Sequence, residues 1–158
     1  MRWTPRVSWE EGDAGLDAAT VTAAFADRCG LYLHVPFCER LCPFCPYNKV
    51  LYRPERAQAY FAALQREVDA YLAAGAGPFT SLYVGGGTPT LCLDELEAIL
   101  PVLPVVGERA IEVLPAHATP ATVDRLLRAG FDRVSLGVQS FDDGALRHLG
   151  RAGSRVAH

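Results

Sequence analysis

The sequence holds few features that would fix it to a surface or a polymer. No apolar run approaches the roughly 20 residues needed to cross a bilayer as a helix, and the first ten residues, Met1 to Glu10, carry no apolar stretch of the secretory kind. We therefore expect a cytosolic protein with no membrane partner, in a compartment where thiols stay reduced. Charge is not concentrated either. The 15 basic and 18 acidic residues are scattered and sum to −3, so no basic stripe proposes nucleic acid or anionic lipid as a partner. Internal repeats and low-complexity tracts are missing, as are GxGxxG and a glycine run followed by Gly-Lys-Ser/Thr, which disfavours dinucleotide and P-loop sites.

What is present starts with cysteine. Cys38, Cys42 and Cys45 form C-x3-C-x2-C within His34-Val35-Pro36-Phe37-Cys38 and the residues up to Asn48. Structural zinc asks for four ligands and disulfides ask for pairs, whereas an iron-sulfur cluster with one iron left open asks for three thiolates. In a reducing compartment metal ligation or catalysis is the better reading. Cys29 and Cys92 lie outside the pattern and read as small buried hydrophobes. A chain of 158 residues, 50% hydrophobic, suits one domain with a real core.

Short apolar runs alternate with segments of helical period, the pattern of successive βα units in an α/β fold with a parallel sheet. The predicted strands are Leu31–Val35, Ser81–Val84, Ala110–Leu114 and Arg133–Val138. The first is followed by a helix from Pro54 to Gly75 that carries Tyr60, Phe61, Leu64, Val68, Tyr71 and Leu72. The second leads to a helix with Asp94 and Glu95 in its first turn and Leu96, Ile99, Leu100 and Leu103 on one side. The third helix takes Thr119 as N-cap and Pro120 at its first position and closes at Gly130. The last begins near Ser140, with Asp143 as its capping partner, and ends around Gly150. Residues 1–28 read as an N-terminal arm with a short helix from about Ala18 to Arg28, and residues 29–158 as the main domain.

The chemistry-bearing residues fall at the C-terminal ends of these strands, where parallel α/β sheets and barrels bind ligands. The cysteine loop follows strand one, Gly85-Gly86-Gly87-Thr88-Pro89 follows strand two, and Gln139 ends strand four. Glu112 sits inside strand three, opposite its apolar neighbours Ile111 and Val113. Three glycines permit positive φ and let backbone groups approach a ligand closely; a plain strand-to-helix turn is the alternative. His34, between Leu33 and Val35, reads as a hydrogen-bonded core histidine or one supporting the ligands, rather than as an iron ligand.

Tyr32-Leu33-His34-Val35-Pro36-Phe37-Cys38, the C-x3-C-x2-C motif, the glycine run, Ser135-Leu136-Gly137-Val138-Gln139-Ser140-Phe141 and Leu149-Gly150-Arg151 together resemble the radical S-adenosylmethionine enzymes. More narrowly they resemble the branch containing oxygen-independent coproporphyrinogen III oxidases. The likeness runs from about residue 31 to 151. It implies a partial radical-SAM-type parallel barrel of four βα units, with a [4Fe-4S] cluster on Cys38, Cys42 and Cys45. The fourth iron would be chelated by S-adenosylmethionine, whose reductive cleavage gives a 5'-deoxyadenosyl radical. It also implies that Tyr32 and Phe44 line the cofactor, that Gly86, Gly87 and Thr88 meet its methionine end, and that Glu112, Gln139 and Arg151 add polar contacts. Plain packing is the alternative for Tyr32 and Phe44, and a solvated helix terminus for Arg151. The implied partners are a tetrapyrrole or other aromatic substrate and an electron donor such as flavodoxin or ferredoxin.

The resemblance has departures. Tyr47 stands where the oxidases usually carry a further cysteine, and Leu114 where relatives have Asn or Asp before the proline. Both tilt the reading towards other members of the branch, which include methyltransferases, haem-degrading enzymes and a non-catalytic haem chaperone that retains the cluster. The family's barrel has more units than the four counted here, so the chain is expected to be its N-terminal part, without the substrate-capping region. Its open sheet edge would be covered by another segment or a second copy.

Overall fold

The computed structural model describes residues 29–151; the short helix expected before Arg28 lies outside them. Six strands and four helices follow in order: β1 (Gly30–Val35), β2 (Phe37–Cys38), β3 (Val50–Leu51), α1 (Pro54–Ala73), β4 (Ser81–Gly86), α2 (Leu93–Ile99), β5 (Arg109–Val113), α3 (Pro120–Arg128), β6 (Arg133–Leu136) and α4 (Asp143–His148). Strands β1, β4, β5 and β6 form one all-parallel sheet in that order, the α/β arrangement that the alternating pattern foretold. Each long crossover carries a helix, as parallel pairing requires.

Strand alternation divides the sheet into two unlike faces. Leu33, Val35, Leu82, Val84, Ile111 and Val113 are all buried and share one apolar cluster with Ala57, Phe61 and Val68 of α1, Leu96 and Ile99 of α2 and Leu126 of α3. Burying each such aliphatic side chain contributes about 1.5–3 kcal/mol, which fixes which residues of β1 face the helices. The intervening residues, Tyr32, His34, Tyr83, Gly85, Glu112 and Ser135, take the other face. Register places Tyr32 beside Tyr83, His34 beside Gly85 and Glu112 beside Ser135.

Thr119 caps α3, its hydroxyl accepting from the Thr122 amide at 3.2 Å, with Pro120 at the first position as expected. Arg125 of α3 reaches Asp94 and Glu97 and ties α2 to α3. The helix expected after the glycine run is split. Residues Pro89–Cys92 form a 3-10 turn before α2, and a second 3-10 turn, Leu100–Val102, contains the Pro101 that ends it.

Three expectations need correction. Strand β6 stops at Leu136, not Val138, because the chain tightens there: the Val138 amide bonds to the Leu136 carbonyl and the Ser140 amide to that of Val138. Gln139 therefore lies beyond the strand, at a φ of 63°. The last helix is capped by Asp142, which accepts from the Ala145 amide at 2.7 Å, while the Ser140 hydroxyl accepts from the Asp142 amide. Cys29 is only partly buried, in contrast to Cys92, which is fully enclosed.

Candidate functional site

A cleft of about 550 Å³ opens at the C-terminal ends of the strands. Its walls include Cys38, Cys42, Cys45, Phe44, Gly86, Gly87, Thr88, Glu112, Gln139 and Arg151. Segments more than 100 residues apart in the chain thus meet in one place, because all but Arg151, which follows the last helix, lie in or just after the C-terminal end of a strand.

The cysteine loop leaves from β2 and returns through β3. Phe37 and Cys38 pair with Val50 and Leu51, the Val50 amide donates to the Pro36 carbonyl, and the Tyr52 amide to that of Cys38. Between these ties the Cys45 amide closes a turn on the Cys42 carbonyl, and the Lys49 ammonium donates to the Cys45 carbonyl. Cys38 and Cys42 are buried, Cys45 is half-buried, and all three are free thiols. The Thr88 hydroxyl lies 3.7 Å from the Cys38 sulfur. Burial pushes the Cys38 thiol upward, while Thr88 and Arg151 oppose the shift.

The glycine run is tighter than a flexible cradle. A Cβ on Gly87 would stand 2.5 Å from the Phe37 carbonyl oxygen, and one on Gly86 only 2.6 Å from the His34 ring. Gly86 also has φ 117°, where an L side chain is strained. The close approach that demands glycine is thus made by the protein's own β1–β2 segment. Two bonds lock it there: the Gly87 amide donates to the Val35 carbonyl and the Thr88 amide to that of Phe37, each at 2.7 Å. The turn still faces the cleft, and it is rigid.

Glu112 explains its own place on an apolar strand. One carboxylate oxygen accepts from the Tyr83 hydroxyl at 2.9 Å, the other from the Gly86 amide at 3.1 Å. The acid is therefore satisfied, and it braces the glycine turn from below.

Arg151 is delivered by the end of α4. The Arg151 amide donates to the Leu146 carbonyl and that of Gly150 to Arg147, a Schellman closure with Gly150 at φ 69°. The guanidinium then lies 5.9 Å from the Phe44 ring. Its Nε is buried with no hydrogen-bond partner among the described residues. A buried unpaired cationic donor is costly, and among the described residues it is the one buried side-chain polar atom left without a partner.

Tyr32 is absent from the cleft wall itself, but it shares the helix-free face of the sheet with Glu112: it is 53% exposed, its ring is stacked with Tyr83, whose hydroxyl donates to Glu112, and its own hydroxyl lies 3.0 Å from His34 Nδ1. Residue-type reasoning missed other wall residues, among them Glu39, Lys49 and His117. His117 Nδ1 is 2.7 Å from the Thr90 hydroxyl and its Nε2 is 3.8 Å from a Glu39 oxygen. The signal for it was available, since it follows a strand end as the glycine run does.

A family model described as the radical SAM superfamily matches residues 32–156. The chain is 31% identical over 129 residues to the heme chaperone HemW of Bacillus subtilis, covering 76% of this chain and 34% of that protein. It is 39% identical over 132 residues to the oxygen-independent coproporphyrinogen III oxidase of Paracoccus denitrificans, covering 77% and 29%. Among solved structures, coproporphyrinogen III oxidase (HemN) from Escherichia coli superposes with a TM-score of 0.72 at 33% identity, covering 84% of this chain and 33% of that one. The chain spans about a third of the length of these relatives. A parallel α/β sheet, a three-cysteine loop after its first strand and a match over most of its length place the chain in the radical SAM superfamily.

Proposed function

We propose that this chain carries the cluster- and cofactor-binding part of a radical enzyme related to coproporphyrinogen III oxidase. The observation that carries the reading is the meeting, in one cleft, of three free thiols and an unpaired buried Arg151 Nε. Among the described residues no three His, Cys, Asp or Glu side chains converge as ligands of a single ion. A [4Fe-4S] cluster asks for something different, one thiolate per iron, and three thiols spread along one loop fit that demand. When bound, the cluster and S-adenosylmethionine supply one-electron cleavage of a sulfonium and a carbon radical able to take a substrate hydrogen.

The residues divide the remaining work. Cys38, Cys42 and Cys45 hold three irons. The Arg151 guanidinium receives the cofactor carboxylate, which satisfies its Nε. Gly86, Gly87 and Thr88 form a rigid wall along the methionine end. Glu112, with lone pairs to spare on both oxygens, accepts from an ammonium or a ribose hydroxyl. Gln139, held in the left-handed region, offers an amide from the opposite wall, and Phe44 covers the apolar side and keeps water out. Tyr32, on the same face of the sheet as Glu112 and stacked on Tyr83, lines the cofactor from the first strand. The substrate in this reading is a tetrapyrrole or another aromatic molecule, and the electron comes from a small donor protein such as flavodoxin or ferredoxin.

A second reading is supported by the similarity to proteins described as heme chaperones: the cluster is kept and haem is carried, without turnover. Anaerobic reconstitution with iron and sulfide, followed by assay for 5'-deoxyadenosine under dithionite and by haem titration, separates the two. Deoxyadenosine formation supports the enzyme; stoichiometric haem uptake without deoxyadenosine overturns it in favour of the carrier.

A further inference from the structure

His34 stands outside the cleft wall, yet it touches two of the segments that build it, the cysteine loop and the glycine turn. Its Nε2 lies 3.0 Å from the Asn48 carbonyl oxygen, on the limb by which the cysteine loop returns to β3. Its Nδ1 lies 3.0 Å from the Tyr32 hydroxyl. Its ring packs so closely on Gly86 that a single methyl there would clash. Its own carbonyl accepts from the Tyr60 hydroxyl of α1.

The hydrogen-bond roles follow from the partners. A carbonyl only accepts, so Nε2 carries the proton and donates to Asn48; Nδ1 then presents its lone pair, and the Tyr32 hydroxyl donates to it. Tyr32, stacked on Tyr83 with ring centroids 6.1 Å apart, thereby fixes both the tautomer and the ring angle. The loop it serves is weakly tied from within. Between Cys38 and Asn48 the backbone contributes the single turn from Cys45 to Cys42, and many of the side chains are exposed.

We propose that His34, oriented by Tyr32, is a positioning residue for the cluster loop: it pins the limb beyond Cys45 at Asn48 and sets that limb against the glycine turn. The proposal rests on the reading of the three cysteines as cluster ligands, but the clamp belongs to the metal-free chain and can be measured there. It also accounts for Gly86, which must be glycine because the clamping ring occupies the place of a Cβ.

Three variants test it. His34→Gln keeps a donor at the position of Nε2, three bonds from Cβ in either side chain. His34→Asn keeps only the acceptor towards Tyr32, and His34→Phe keeps the ring without either bond. Hydrogen exchange of the metal-free protein is read by mass spectrometry over peptides covering residues 39–49, with α1 as the internal standard. In His34→Asn and His34→Phe these peptides exchange about fivefold faster, the factor that one hydrogen bond of ordinary net strength supplies, and α1 is unchanged. In His34→Gln they stay within about twofold of the parent by the same measure. After reconstitution, iron loss to a chelator follows the same order, with Gln restoring retention. Unchanged exchange at residues 39–49 in His34→Phe overturns the proposal, as does uniform acceleration across the sheet and α1, which marks a merely structural residue. A normal loop in all three variants combined with iron loss in His34→Gln also overturns it, in favour of direct ligation. If the parent chain takes up no iron, the proposed function fails, and the exchange result still decides the clamp.

Discussion

Gly87→Ala is the sharpest perturbation available, because its consequence is set by backbone rather than by a side chain that can move aside. The new Cβ would lie 2.5 Å from the Phe37 oxygen, 2.8 Å from its carbonyl carbon and 2.9 Å from its nitrogen. Real Cβ atoms essentially never come within 3.0 Å of another heavy atom, so β2 must retreat by about 0.5 Å or more, a displacement that overpacking studies associate with about 1–3 kcal/mol. The same retreat stretches the two bonds that join the segments, Gly87 to Val35 and Thr88 to Phe37, both 2.7 Å and each worth about 0.5–1.5 kcal/mol net. With both bonds lost the sum is roughly 2–6 kcal/mol, a large part of the stability of an ordinary domain. Urea unfolding of the metal-free protein followed by circular dichroism reads this as a midpoint lowered by about 1–2 M. Gly137→Ala serves as the control: its Cβ would meet only the far end of the Gln139 side chain at 3.3 Å, and it should stay within about 0.5 kcal/mol of the parent. A Gly87→Ala protein as stable as that control would refute the claim that the glycine turn is built against the cysteine strand.

Further outcomes follow from the same geometry. Glu112→Gln keeps an acceptor for the Gly86 amide but loses the charge, and should cost about 1–2 kcal/mol, whereas Glu112→Ala leaves that amide unpaired and should cost more; thermal melts rank the two. Cys92 is fully enclosed and burial pushes its thiol up to about 12, so iodoacetamide at pH 8 should leave it unlabelled in the native protein and label it after denaturation. The sign for stability is fixed as well. The folded chain holds the Cys92 proton more tightly than the unfolded chain, so this contribution is complete below about pH 9 and is lost as pH rises towards 12. Arg125→Ala removes a clamp between α2 and α3 that is exposed to solvent, with Glu97 and Asp94 as its acids, and should lower stability by no more than about 1 kcal/mol, less in high salt.

Much of this fold was legible because the residues that form it do so for local reasons. The apolar alternation of Leu33, Val35, Leu82, Val84, Ile111 and Val113 defines both the strands and the face that meets the helices. Thr119-Pro120 starts α3 with a cap and a ring that suit no other position. Strands β2 and β3 could not be read, since two residues in each carry no period; they exist because the loop's ends meet. The start of α4 was misplaced because Ser140 and Asp142 are both good caps, and the turn through Gln139 selects the second. Within the site, the cysteines, the glycine run, Glu112 and Gln139 were singled out by residue type and position, whereas Arg151 entered only through resemblance. The partners that explain them, Phe37 behind Gly87 and Tyr83 beneath Glu112, are distant in sequence and appear only once the sheet is assembled. Tyr32 was expected at the cofactor from resemblance alone; the parity of β1 puts it on the Glu112 face of the sheet, stacked on Tyr83 and within reach of His34, partners that its residue type could not reveal.

The central claim is that Cys38, Cys42 and Cys45 hold a cluster that, with S-adenosylmethionine in the neighbouring cleft, performs radical chemistry. Its most direct test is the anaerobically reconstituted chain, reduced with dithionite in the presence of S-adenosylmethionine, with 5'-deoxyadenosine measured by chromatography. The account predicts a brown protein with close to four irons per chain and deoxyadenosine that disappears in Cys38→Ser, Cys42→Ser and Cys45→Ser. A fully loaded protein that yields no deoxyadenosine would contradict it.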